Sequence, residues 1–172
     1  MAEEKRSVWC QNLFQLLQTL VTVLTVLLLL FAFVGRVFAV DGTSMLPTLQ
    51  DKEPILVYRA GYTPAAGDIV VLAKPSFRTG DPLVKRVIAV GGQTVEINYA
   101  ANTVYVDGEA LEEPYILEPM EEFPSQYARS AKVPKGSIFV MGDNRNGSGD
   151  SRDPALGVVD TRYVMGRVLF AD

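Results

Sequence analysis

Apolar residues are distributed along this chain in two different ways. Between Arg6 and Arg36 no side chain is charged, and Leu16 to Val34 is almost continuously apolar, densest in LVTVLTVLLLLFAFV over Leu20–Val34. At 1.5 Å per residue, Leu16–Val34 covers about 28 Å, close to a hydrocarbon core of ~30 Å, so the pattern predicts a membrane-spanning helix. A domain of this size has no room to bury a helix that is apolar on every side. Trp9 precedes the run, where an interfacial anchor belongs. A cleavable signal peptide is the alternative, with Lys5-Arg6 ahead of the run and Val37-Phe38-Ala39 before Val40 as a loose cleavage site. The run exceeds the roughly 7–15 residues of such a segment, and Arg36 and Phe38 crowd the site, so a retained anchor is expected. Lys5 and Arg6 before the span outweigh Arg36 and Lys52 after it only narrowly. That places the N-terminus in the cytoplasm and everything beyond about residue 37 outside.

After residue 37 the pattern changes to short Val/Ile-rich runs punctuated by Gly, Pro and Asp. These predict strands at Ile55–Tyr58, Asp68–Leu72, Leu83–Val90, Thr94–Asn98, Thr103–Val106, Ser137–Met141 and Val164–Phe170, and no long helix. Gly91-Gly92 and Asp107-Gly108 are turn signals, and the stretch Thr94–Val106 reads as a hairpin. Leu111 to Lys135 reads as an irregular excursion whose paired acids, Glu112-Glu113 and Glu121-Glu122, are expected to be solvated loop charge. The chain is therefore expected to hold two parts: residues 1–36 as cytoplasmic N-terminus and anchor, and 37–172 as a β-rich domain with a small insertion at about 94–135.

Composition narrows the chemistry. The 172 residues carry 16 Lys+Arg against 20 Asp+Glu, a net charge of -4, which speaks against a nucleic-acid binder. There is no histidine and one cysteine, Cys10. No imidazole can serve as a base, no intramolecular disulfide can form, and neither a metal site nor a cofactor is expected.

Three segments hold candidate chemistry. Asp41–Leu49 places Ser44 in a Gly-flanked turn ten residues beyond the apolar span, at most about 33–36 Å of extended chain. Its hydroxyl is either a turn cap or a reactive group. In Leu83–Val90, alternation sets Lys85 on one face with Leu83, Val87 and Ala89, and Arg86 on the other with Val84, Ile88 and Val90. Lys85 either snorkels from a sheet edge or is buried, and burial would favour its neutral, basic form. Gly142–Pro154 is dense in hydrogen-bonding groups. Its alternating oxygens fail the EF-hand pattern, and a loop knitted by Arg–carboxylate pairs fits better.

Together these segments resemble the type I signal peptidases, membrane-anchored serine proteases with a Ser-Lys dyad. The matching boxes are Ser-Met-x-Pro-Thr at Ser44–Thr48, Gly-Asp-Ile-Val at Gly67–Val70, Lys-Arg-Val-Ile-Ala-Val-Gly-Gly at Lys85–Gly92 and Gly-Asp-Asn-Arg-x-x-Ser-x-Asp-Ser-Arg at Gly142–Arg152. The resemblance implies a mainly β fold: one N-terminal transmembrane helix, then an antiparallel β-sheet or partial-barrel catalytic domain with a β-hairpin insertion. It implies Ser44 as nucleophile, with its backbone N–H in the oxyanion hole, Lys85 as general base, and Ser148 as the hydroxyl that orients the lysine. Arg86, Asp143, Asn144, Arg145, Asp150, Ser151 and Arg152 correspond to the polar framework. Met45 corresponds to a residue near the substrate pocket, and Val40 and Val84, which flank the dyad motifs, are expected to line it. Where some members carry a second serine, this chain has Gly42. The implied function is removal of signal peptides from secreted preproteins at the outer face of a bacterial cell membrane. A non-catalytic anchored binding module and a self-cleaving repressor-type Ser-Lys protease are the alternatives.

Overall fold

The computed structural model describes residues 2–33, 35–121 and 126–169. Val34, Glu122 and Phe170, which figure in the expectations above, lie outside the described residues. The chain divides into two compact units, Met1–Arg36 and Val37–Asp172.

The first unit is one helix, α1 (Ala2–Phe33), and the stretch Gln11–Leu29 is long and apolar enough to cross a membrane. Its described apolar side chains, from Leu13 to Leu29, are exposed, so the helix is apolar outward on all sides. Its three threonines do not break that character. The Oγ1 groups of Thr19, Thr22 and Thr25 donate to the carbonyls of Gln15, Gln18 and Val21 at 2.9, 2.8 and 2.8 Å, which satisfies them within the helix.

The second unit is built on a curled antiparallel sheet. Its strands are β1 (Gly35–Ala39), β2 (Pro54–Tyr58), β3 (Ile69–Leu72), β4 (Leu83–Val90), β9 (Ser137–Met141), β10 (Val159–Asp160) and β11 (Val164–Val168), in the order β1-β2-β11-β3-β4-β9-β10. A second sheet, β7-β6-β5-β8, is formed by β5 (Thr94–Asn98), β6 (Thr103–Val106), β7 (Glu109–Ala110) and β8 (Ser130–Lys132). The hairpin read over Thr94–Val106 is present, with Glu96 opposite Tyr105, and two short strands extend it. Asp107-Gly108, both at positive φ, makes the tight β6–β7 turn. The Val37–Ala39 segment, weighed above as part of a cleavage site, belongs to strand β1.

β4 positions the chemistry, and its neighbours follow from register. Val70 lies opposite Lys85 and Ile69 opposite Arg86 on β3, while Met141 lies opposite Arg86 on β9. Strict alternation fails once. A register shift between Val87 and Ala89 turns Ala89 onto the Ile88 side, into the core with Phe139 and Met141. Val90 rejoins Leu83 and Val87 against Val70, Leu72, Ile138 and Val140. The expected faces of Ala89 and Val90 are thus exchanged, because an irregularity of one residue reverses a period-two pattern.

Candidate active site

Ser44 and Lys85 meet. The turn following Val40 folds tightly: Leu46 N–H donates to the Thr43 carbonyl at 3.3 Å and Leu49 N–H to the Met45 carbonyl at 2.9 Å. Met45 and Leu49 are thereby driven into a core with Val40, Ile55, Val57, Ile69 and Val71, and Ser44 is left at the surface of a cleft of about 210 Å³. Lys85 Nζ lies 2.6 Å from Ser44 Oγ and donates to the Val84 carbonyl at 2.8 Å. The lysine is 2 % exposed. Of the two sequence readings, burial is what the structure shows. Desolvation is the main cause that lowers its pKa, from 10.5 to about 8, with Arg78 and Arg152 pushing the same way and Asp150 and Asp143 opposing.

The loop Gly142–Arg152 holds this pair from behind. Asn144 fastens the serine turn at two points, its N–H to the Ser44 carbonyl and its Nδ2 to the Thr43 carbonyl, each 3.1 Å. Asp143 takes a two-pronged bond from Arg86, Nε to Oδ1 at 2.8 Å and Nη2 to Oδ2 at 2.7 Å. Thr48 Oγ1 donates to the same Oδ2 at 2.5 Å. Asp150 is likewise gripped by Arg152, Nε to Oδ1 and Nη2 to Oδ2 at 2.9 Å each, and accepts from the Gly142 N–H at 3.1 Å. Ser151 ties the loop to β9, its Oγ accepting from the Val140 N–H at 3.0 Å. Arg145 is fully buried.

Expectations change at Glu113, Ser148 and Met45. Arg145 Nη1 donates to Glu113 Oε2 at 2.9 Å and Nη2 pairs with Oε1, so Glu113 is a buried partner rather than solvated loop charge. Its neighbour Glu112 is exposed. Tyr115 lies under the Arg86 guanidinium, 3.9 Å from carbon to ring centroid. The excursion after β7 therefore braces the site. Ser148, in turn, is buried beside Gly142, and its Oγ has no hydrogen-bond partner among the described residues, so the bond to Lys85 is not formed here.

Val40 and Val84 line the cleft together with Phe38, Gly42, Thr43, Arg78 and Leu83. Met45, at 1 % exposure, belongs to the core instead. Among the described residues no group accepts the Ser44 backbone N–H, whereas the Gly42 N–H is already bound to Asp51 Oδ1 at 2.7 Å. Gly42 has φ +93, a conformation that side chains resist, and open space where a Cβ would be. No three carboxylate or cysteine side chains converge as a metal would need, among the described residues. A larger cavity of about 680 Å³ sits at the opposite end of β4, around Val90 and Gly91, and contains neither Ser44 nor Lys85. The amine–hydroxyl contact lies in the smaller cleft.

The sequence matches the model of the signal peptidase family, peptidase S26, over residues 13–171. The chain belongs to that family, and it is a serine peptidase. A probable signal peptidase I-1 of Synechocystis sp. is 40 % identical over 152 residues, covering 83 % of this chain and 74 % of the relative. Signal peptidase I of Bacillus licheniformis is 35 % identical over 183 residues, covering 99 % and 94 %. A crystal structure of a signal peptidase I from Enterococcus faecalis superposes with a TM-score of 0.51 at 34 % identity, covering 63 % of this chain and 98 % of that one. The mainly β architecture after one apolar helix is that of the family.

Within this framework Thr48 and Tyr115 are additions to which the sequence did not point, and Glu113 reads from the sequence only as solvated loop charge. Thr48 was visible only as the end of the Ser-Met-x-Pro-Thr box, and nothing local distinguishes Glu113 from Glu112.

Proposed function

We propose that this protein removes signal peptides from secreted preproteins, with Ser44 as nucleophile and Lys85 as general base. The observation that carries the reading is the buried amine of Lys85 at 2.6 Å from the Ser44 hydroxyl oxygen, in a chain without histidine. A neutral amine accepts the hydroxyl proton as Oγ attacks the scissile carbonyl carbon. The free Ser44 N–H supplies a donor for the tetrahedral oxyanion. Collapse breaks the C–N bond, the ammonium returns its proton to the departing amine, and water, deprotonated by the same lysine, releases the acyl group. Val40 and Val84 offer the small apolar lining that an A-x-A-type cleavage site requires. Arg86, Asp143, Asn144, Arg145, Asp150, Ser151 and Arg152 hold the geometry, and no cofactor takes part. Ser148 is positioned to matter only if its hydroxyl turns toward the amine during turnover.

Residues 1–36 act as cytoplasmic N-terminus and single anchor in this proposal, and 37–172, with the insertion at about 94–135, as the catalytic domain outside the cell membrane. The outward-facing apolar helix and its internally satisfied threonines support the anchor.

The test is processing of a secretory precursor by the detergent-solubilised full chain, beside Ser44→Ala and Lys85→Ala proteins of verified fold. Both variants are expected to lose cleavage, and the new N-terminus to follow a small residue. A folded Lys85→Ala protein with full activity would falsify the assignment of the base.

A further inference from the structure

The cleft that holds Ser44 and Lys85 also holds a cation that the proposed chemistry does not use. Arg78 lines it, exposed, and among the described residues no carboxylate or carbonyl accepts from its guanidinium. The other arginines beside the site are occupied: Arg86 by Asp143, Arg145 by Glu113 and Arg152 by Asp150. The one carboxylate on the cleft, Asp41, is paired with Lys52. Arg78 is the charge left over.

Its position is constructed. Phe77 is buried in the core beside Leu83 and Val87 and anchors the loop. Arg78 and Thr79 follow at φ 45 and 59, left-handed conformations unfavourable to both, closed by Gly80 N–H donating to the Phe77 carbonyl at 2.9 Å. The guanidinium stands 5.5 Å from the Phe77 ring and lies against Gly149, where a Cβ would come within 3.1 Å of Nη2. The bare backbone of Gly149 thus leaves the space that Arg78 fills, in the cleft that Ser44 and Lys85 also line.

We propose that Arg78 is a specificity-determining residue, pairing with a carboxylate that the substrate carries within a few residues of the bond cleaved at Ser44. A planar guanidinium with unused donors matches a carboxylate in two-pronged fashion, and an extended peptide in the cleft would shield that pair from water. A lysine in the same place on the substrate meets like charge. The charge of Arg78 also disfavours the ammonium form of Lys85, so the free guanidinium serves the base as well. This inference rests on Ser44 being the nucleophile.

The experiment uses the solubilised full chain and a set of cleavable peptides identical except for Glu, Gln or Lys at each of the three positions on either side of the scissile bond. For at least one position the wild-type protein is expected to prefer Glu over Gln by about fivefold in kcat/KM and to disfavour Lys. Arg78→Gln should flatten that ratio, Arg78→Glu reverse it and Arg78→Lys keep its sign. Each ratio is taken within one protein, so a general loss of activity leaves it readable. A wild-type ratio near one at every position, or an unchanged ratio in Arg78→Gln, overturns the proposal. Should the variants fail to fold, the wild-type preference and its collapse in high salt decide alone. Cleavage persisting in Ser44→Ala would instead overturn the nucleophile assignment, so the two failures are distinct.

Discussion

The Lys85 amine lies 2.6 Å from the Ser44 hydroxyl oxygen, and among the described residues no carboxylate forms an ion pair with it. That is notable because two buried acids are close enough to favour its charged form, Asp150 and Asp143. Each is held by its own arginine through both oxygens. The framework therefore does more than stiffen a loop. It offsets part of the pull of two anions that favour the protonated lysine, and burial, the largest influence, brings the pKa down.

The pH dependence follows. A base must be neutral to accept a proton, and burial brings Lys85 to about 8 from 10.5. The kcat/KM for peptide cleavage is expected to rise with pH and level off above a midpoint near 8. Steady-state rates over about pH 6–10 check this. A profile that falls across that range would assign the proton transfer to another group.

The same burial has a stability cost. Between about 8 and 10.5 the unfolded chain holds a proton on Lys85 that the folded chain has released, so stability climbs with pH through that window. At neutral pH, below both values, both states are charged and the folded state bears the full cost, up to about 3 kcal/mol. Replacing Lys85 by Met keeps the volume and removes the charge. The Lys85→Met protein should be inactive yet melt at a higher temperature than wild type at pH 7, and the gap should shrink toward pH 10. Calorimetry at the two pH values measures it; a lower midpoint at pH 7 would contradict the account.

What the sequence exposed and what it hid have physical reasons. Leu83–Val90, Thr94–Asn98, Thr103–Val106 and Ser137–Met141 are strands with the predicted bounds, since each is a Val/Ile-rich run closed by turn residues. Strand β8, Ser-Ala-Lys, has no such composition, and β7 and β10 are two residues each, so pairing alone creates them. Strand β1 follows directly on the apolar run and merges with it in hydropathy. The meeting of Ser44 with Lys85 is what the family resemblance implies; the inward turn of Glu113 is implied by nothing in the sequence. Only the fold shows which of two adjacent glutamates turns inward to a buried arginine.

Glu113 is accordingly a stability determinant. Its carboxylate meets Arg145, whose side chain is 0 % exposed. Glu113→Gln leaves a buried guanidinium without its counter-charge, and the expected loss is about 3 kcal/mol. Glu112→Gln, at an exposed neighbour, should shift stability by less than about 0.5 kcal/mol. Urea midpoints of the two proteins make the comparison. Equal midpoints would return Glu113 to the solvated-charge reading.

Gly142 offers the sharpest test of how the proposed nucleophile, Ser44, is held. A Cβ built there would lie 2.3 Å from Ser148 Oγ and 2.5 Å from the Ser44 carbonyl oxygen. The Ser148 hydroxyl can rotate away, but its Cβ, at 2.6 Å, cannot, and the carbonyl belongs to the turn that presents Ser44 and is itself bound by the Asn144 N–H. Gly142→Ala is therefore expected to shift Ser44 away from Lys85, and a displacement on the scale of 1 Å costs on the order of 10²-fold in rate. Adding Ser148→Ala removes the hydroxyl clash and leaves those with the Ser44 carbonyl and with the residue 148 Cβ, 2.6 Å away, so the double variant should remain impaired, with near-normal Lys85-dependent pH behaviour in whatever activity survives. If the double variant instead recovers wild-type kcat, the carbonyl contact is irrelevant. Ser148 would then be the only group that Gly142 accommodates.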